Sequence, residues 1–220
     1  MNVRTVELGC ERGWRRGQWR TELAIPKSAP CLGILGAMHP KQLESILRPL
    51  AQELRWAIPG IRIGILVASH SGASLSHSSG QRSSEPFQIR SIATNAIQVL
   101  DWICGVDVWL NLGDGPLTNA IERIASDIRL PVRTHSSTNA LASQSDSFSL
   151  AQGLVKQFQL ADAQFAMLAF PSGVESARTS KKPMTVDEAI SLLQDSLCAT
   201  VQTWVSETDH DESVSVRPAA

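Results

Sequence analysis

"VWLNLGDGPLTNAIERIA", residues 108–125, decides how the rest of the chain is read. An apolar-leaning run ends at Gly113-Asp114-Gly115-Pro116, and Leu117, Ala120, Ile121 and Ile124 then recur at helical spacing. This is a strand, a tight turn and a helix. A strand that ends in glycines and feeds a helix is a common small-ligand site, and it is also an ordinary connection. Asp114 suits such a turn, because aspartate tolerates unusual backbone angles and makes Asx-type bonds.

Working outward, the same unit recurs. "CLGILGAMHP" (31–40) is a short apolar run broken by glycine, as in a buried parallel strand. Leu43, Ile46, Leu47, Leu50 and Leu54 follow at helical spacing, with Pro40 suited to the first turn and Pro49 expected to kink or split the helix. Pro59-Gly60 is a turn, and residues 61–68 read as a second strand. A Ser/Gly-rich stretch (69–86) is a long polar loop. Ile89, Ile92, Ala93, Ala96, Ile97 and Leu100 suggest a helix, residues 106–112 the third strand, and "LPVRTH" (130–135) a fourth. A second polar loop (136–147) precedes a helix that Ser149 could cap. "AQFAMLAF" (163–170) reads as a fifth strand. Thr185 and Glu188 have the spacing of a capping box before Ile190, Leu193, Leu197, Val201 and Trp204.

Strands alternating with helices imply a doubly wound sheet. The expected fold is therefore α/β, a Rossmann-like three-layer sandwich with a mostly parallel sheet of about five strands. Ligands bind such sheets at the carboxyl ends of the strands, near a switch in strand order. That rule selects Gly36–Pro40, Ser69–Gly72, Gly113–Pro116 and Thr134–Ser137.

The totals bound the function. The 220 residues are 43% hydrophobic and 19% charged, with a formal net charge of −1. That is a globular composition with no global field for nucleic acid or an anionic membrane. No run approaches the length of a membrane span, and Cys10, Cys31, Cys104 and Cys198 form no C-x-x-C pair. Reduced thiols and a cytoplasmic location are expected, with no metal site. "ERGWRRGQWR" (11–20) carries four arginines and two tryptophans. Residues 1–29 are thus read as a basic-aromatic appendage, either a poorly ordered leader or a strand pair laid on the surface. Residues 30–205 are read as a single α/β domain, and 206–220 as a polar acidic tail.

Candidate site residues follow from the rim. Gly36 would let backbone approach an anion at a helix start. His39, His70, His77 and His135 fall at or near strand ends, where an imidazole can act as acid or base. His70 stands beside Ser71 and Gly72, although no G-x-S-x-G elbow is present. Asp114 would take a ribose hydroxyl or a proton. Gly113, Gly115 and Thr118 would hold phosphate.

Leu112-Gly113-Asp114-Gly115-Pro116-Leu117 resembles the G-G-D-G-T-L loop of the NAD kinase and diacylglycerol kinase superfamily. That resemblance implies phosphoryl transfer with Asp114 as the acidic residue. Leu112 and Pro116 stand where that loop has glycine and threonine. The segment also resembles motif I of methyltransferases, but too little chain follows for their usual core. Over residues 31–137 the layout resembles the Rossmann-like group of nucleoside deoxyribosyltransferases and lysine-decarboxylase-like phosphoribohydrolases. There an early G-x-x-G strand end and a later Asp-Gly strand end face one ligand, and a helix leads to a strand ending in P-V. Asn119 occupies the place of that group's glutamate in P-G-G-x-G-T-x-x-E. The resemblance implies N-glycosidic bond cleavage or a diverged binder.

The expectation is a domain that binds a nucleotide or other phosphorylated small molecule, with Asp114 and His70 as catalytic candidates. Gly36, His39, Ser71, Gly72, Gly113, Gly115 and Thr118 are the binding candidates, and no cofactor is named. The alternative is a non-enzymatic interaction domain that keeps the fold and meets a protein partner or a second copy. The arginine–tryptophan arm or the C-terminal helix would make that contact.

Overall fold

The computed structural model describes residues 6–36, 40–67, 87, 89–135, 144–169 and 182–212. The elements in chain order are α1 (Leu8–Glu22), β1 (Cys31–Gly36), α2 (Pro40–Ala57), β2 (Arg62–Val67), β3 (Ile89–Ile92) and α3 (Ala96–Gly105). They continue with β4 (Val108–Leu112), α4 (Pro116–Asp127), β5 (Val132–His135), α5 (Gln144–Ala169) and α6 (Val186–Glu212). The five strands form one all-parallel sheet in the order β3-β2-β1-β4-β5. This is a three-layer Rossmann-like α/β fold.

β1 and β4 are central and buried along their whole length, which explains why they read as continuous apolar runs. Their side chains alternate between two cores. Leu32, Ile34, Val108, Leu110 and Leu112 join Leu43, Leu47, Leu50 and Leu54 of α2 with Leu150, Leu154 and Phe158 of α5. On the other face Cys31, Leu35 and Trp109 meet Leu8 and Trp19 of α1, together with apolar residues of α3, α4 and α6. Helices therefore cover both sides of the sheet.

Five local expectations are corrected. Residues 89–92 form a strand, and the helix starts only at Ala96, where the Asn95 side chain accepts from Gln98 N at 2.9 Å. Residues 163–169 continue helix α5 rather than forming a strand, and Ser149 lies inside that helix instead of capping it. Helix α2 runs unbroken through Pro49. The backbone of α6 stays helical to Glu212, past the boundary of the expected tail. The capping box is present as read: Thr185 N donates to Glu188 Oε2 at 2.8 Å, and Glu188 N to Thr185 Oγ1 at 3.2 Å.

The largest correction concerns the described part of residues 1–29, from Val6 on. Helix α1 is neither a loose leader nor a surface strand pair: Leu8 is fully buried and Trp19 is 5% exposed. Trp19 meets Trp102 edge-on at 5.3 Å between ring centroids. It also lies so close to Gly105 that a Cβ there would come within 2.2 Å of its ring. The N-terminal chain further pairs with the start of α6, through Leu8 N to Met184 O at 3.0 Å and Val186 N to Val6 O at 3.0 Å.

The arginines of α1 are spent inside the molecule. Arg20 is 1% exposed; it donates to the carbonyls of Gly105, Lys27 and Ala29 and to Asp107 Oδ2 at 2.7 Å. Arg16 pairs with Asp107 Oδ1 at 2.6 Å, Arg15 with Glu11 and Asp101, and Arg12 donates to Ile128 O at 2.7 Å. Ile128 is the C-cap of α4, where a cation meets the negative end of the helix dipole. Burial pushes the Arg12 and Arg16 guanidinia below the ordinary arginine range, and Asp107 opposes the shift in both.

Candidate functional site

The strand order places β1 between β2 and β4, so the chain leaves β1 and β4 in opposite directions. Helix α2 then packs on one face of the sheet and α4 on the other. This is the switch point at which open α/β sheets leave a crevice. The register pairs Gly36 with Leu112, so the end of β1 and the Gly113-Asp114-Gly115 turn are neighbours. Of the expected rim residues, Gly36, Gly113, Asp114, Gly115 and Thr118 are therefore brought together. His39, His70, Ser71, Gly72 and His77 lie outside the described residues.

Three of the four glycines Gly33, Gly36, Gly113 and Gly115 have a reason in packing or backbone geometry. A Cβ on Gly36 would come within 2.4 Å of Leu43 Cδ2, so this glycine lets α2 close on β1. The partner glycine of that G-x-x-G, Gly33, makes room for the Trp109 ring. Gly113 sits at φ +104, a left-handed conformation that favours glycine. Gly115 differs from all three. Its φ of 165 is extended backbone open to any residue, and a Cβ there would meet nothing within 4 Å. Neither strain nor crowding demands a glycine at this position.

Gly115 is the N-cap of α4 and supplies no side-chain cap, while Pro116 begins the helix. The first helical bond runs from Asn119 N to Gly115 O at 3.1 Å. The N–H groups of Leu117 and Thr118 thus have no partner within the helix. Asp114 is exposed and, among the described residues, makes no hydrogen bond or ion pair; the Asx-type bond expected of it is not made. Thr118 is 7% exposed and its hydroxyl donates to Gly113 O at 3.2 Å. That hydroxyl braces the turn.

The turn is tied from the other side as well, since Gly113 N donates to His135 O at 3.0 Å. His135, in the expected rim segment Thr134–Ser137, ends β5 as a neighbour of the turn. Its Nε2 is buried with no hydrogen-bond partner among the described residues. A second feature escaped the sequence reading. Asn111 is fully buried in β4, accepts the Trp109 indole N–H at 2.7 Å and donates to Thr134 Oγ1 at 3.4 Å. Thr134 in turn donates to Glu122. This chain couples the ends of β4 and β5 to α4. The signal in the sequence was a lone asparagine in an apolar strand, a residue that a core accepts only when its amide is paired.

Asp107 stands just before the other end of β4. It accepts from Cys31 N at 2.8 Å as well as from Arg16 and Arg20, so its carboxylate is structural. No group of three or more His, Cys, Asp or Glu among the described residues could hold a metal. No described helix is long and apolar enough to cross a membrane. No protein-family model and no curated protein matches the chain.

Proposed function

We propose that the chain binds a nucleotide or other phosphorylated small molecule at the carboxyl rim of β1 and β4. The observation that carries this reading is the Gly113-Asp114-Gly115 turn. It opens an uncapped helix at a switch point and holds out a carboxylate that the fold does not use. Free N–H groups and the positive end of a twelve-residue helix favour a phosphate there. The absence of a Cβ at Gly115 lets an anion approach the backbone. Asp114 is then placed to accept a ribose hydroxyl. For a reaction, N-glycosidic bond cleavage with Asp114 as base comes first and phosphoryl transfer second.

Thermal denaturation with a panel of nucleotides and sugar phosphates tests the reading. At a ligand concentration of about 100 Kd, binding adds ~2.7 kcal/mol of stability. For a chain of this length that raises Tm by roughly 5–10 °C. Asp114→Asn and Gly115→Ala keep the unliganded Tm and lose most of the shift. A wild-type protein that no phosphorylated compound shifts overturns the reading and leaves the interaction-domain alternative.

A further inference from the structure

We propose that the outward face of α1 is a homodimer contact, on which a second copy of this chain packs helix against helix. The inference does not rest on the rim reading.

Helix α1 turns its charge inward. Arg12, Arg15, Arg16 and Arg20 all reach partners inside the molecule, and Glu11 is paired with Arg15. What faces out along the same turns is uncharged. Gly9, Cys10, Gly13, Trp14 and Gln18 are exposed and Gly17 is half-buried, with Trp14 at 63% exposure. A surface helix ordinarily does the reverse, with its charges on the outer face. The single chain gives no reason for the three glycines either. A Cβ at any of them would meet nothing within 4 Å, and none has a positive φ. Glycine destabilises a helix relative to alanine, so each of the three weakens α1 with no compensating contact inside the chain.

The arrangement of these residues names the occupant. Gly9, Gly13 and Gly17 are spaced by four, and so are Cys10, Trp14 and Gln18. At about 100° per residue the first set is a shallow groove and the second is the ridge beside it. Turning one copy by 180° about an axis that runs along α1 sets each ridge in the other's groove, with Trp14 against the partner's glycines. A face that carries both the knob and its hole is self-complementary, as a two-fold contact requires. It has no charge to repel its own image. Cys10 lies within roughly 20° of the line between groove and ridge, so the two-fold brings the two Cys10 thiols toward each other. Being about 22 Å long, α1 buries less than the roughly 800 Å² per partner of a standard interface, so the pair is reversible.

The test uses the full chain. In sedimentation equilibrium wild type is largely dimeric at about 100 μM and dissociates on dilution. Gly13→Leu fills the groove and Trp14→Ala removes the ridge, and each weakens the dimer about tenfold or more. Both positions face open solvent in the single chain, so the Tm of the dilute variants stays close to that of wild type. A short bismaleimide links the wild-type dimer; Cys10→Ser abolishes the link and Cys198→Ser keeps it. The inference is overturned by a wild type that stays monomeric throughout, by a dimer that either Gly13→Leu or Trp14→Ala keeps at full strength, or by a crosslink that needs Cys198 rather than Cys10.

Discussion

β4 carries an aspartate just beyond each end, and the two have opposite fates. Asp107, at the amino end, is 9% exposed and receives Arg16, Arg20 and the backbone of Cys31. Asp114, at the carboxyl end, is exposed and has no partner among the described residues. The arginine-rich helix looks like a binding arm by composition, yet it closes the amino edge of the sheet. The Gly-Asp-Gly turn carries little charge and stays open. Charge density alone therefore does not mark a site. What separates the two edges is whether the fold has already used the polar groups.

The largest test of this contrast removes one aspartate from each edge. Asp107→Ala leaves the buried Arg20 guanidinium without its carboxylate and is expected to cost about 3–5 kcal/mol, as for other broken buried pairs. Urea or thermal denaturation reads the loss. Asp114→Ala is expected within about 0.5 kcal/mol of wild type, as for a surface change. A large loss from Asp114→Ala breaks the comparison, and so does a silent Asp107→Ala.

Glycines sharpen it next. Gly105→Ala drives a methyl into Trp19 and is expected to cost about 1–3 kcal/mol from overpacking. Gly115→Ala meets open space in an extended conformation and leaves Tm unchanged while weakening ligand binding. Equal destabilisation by both would mean that the turn glycine is structural after all.

The thiols offer a smaller test of the closed edge. Cys31 and Cys104 are buried and Cys10 and Cys198 exposed, so a thiol reagent should label Cys10 and Cys198 in the native protein and all four after unfolding. Burial pushes the Cys31 and Cys104 thiols up to about 12. The unfolded chain releases these protons first, from about pH 9, so stability is intact below that pH and falls as pH rises toward 12. The chain has no tyrosine to confuse that limb. A Cys31→Ala/Cys104→Ala variant should flatten it in pH-dependent urea melts.

The smallest effect lies at the start of α6. The Thr185 backbone N–H, then its side chain, holds the exposed Glu188 carboxyl below its usual range. The capping contribution is therefore present above the ordinary carboxylate range and lost as pH falls through the lowered value. Glu188→Gln should make the acid limb of the melt slightly shallower than in wild type.

The elements that sequence reading located share one property: local pattern and burial agree. β1, β2 and β4 are apolar runs at the centre of the sheet or next to it, and α2 and α4 carry clean apolar stripes; the edge strand β5, with no buried residue, is the exception. The capping box was legible because its bonds are local. The misread elements have their reasons elsewhere. β3 is four residues long, and Ile89, Ile92 and Ala93 fit helical spacing equally well; only pairing with β2 from Gly64 to Val67 settles it. The apolar run at 163–169 fits either state until it is seen to continue α5. In α1, arginine and glycine hide a helix whose stability comes from packing on α3 and from bonds to residues some 85 positions away.

By itself, then, the sequence determined the α/β alternation, the parallel sheet and the segments that end its strands. Periodicity and the geometry of strand–turn–helix units are local, and each segment carries them alone. The tertiary structure decided the strand order, which brings Gly36 and Gly113 together and puts the switch point between β1 and β4. It also decided which polar residues are spent: Arg16 and Arg20 share the carboxylate of Asp107 in the interior, while Asp114 is left over. No single segment holds that information, because whether a charge is satisfied depends on groups brought to it from other parts of the chain.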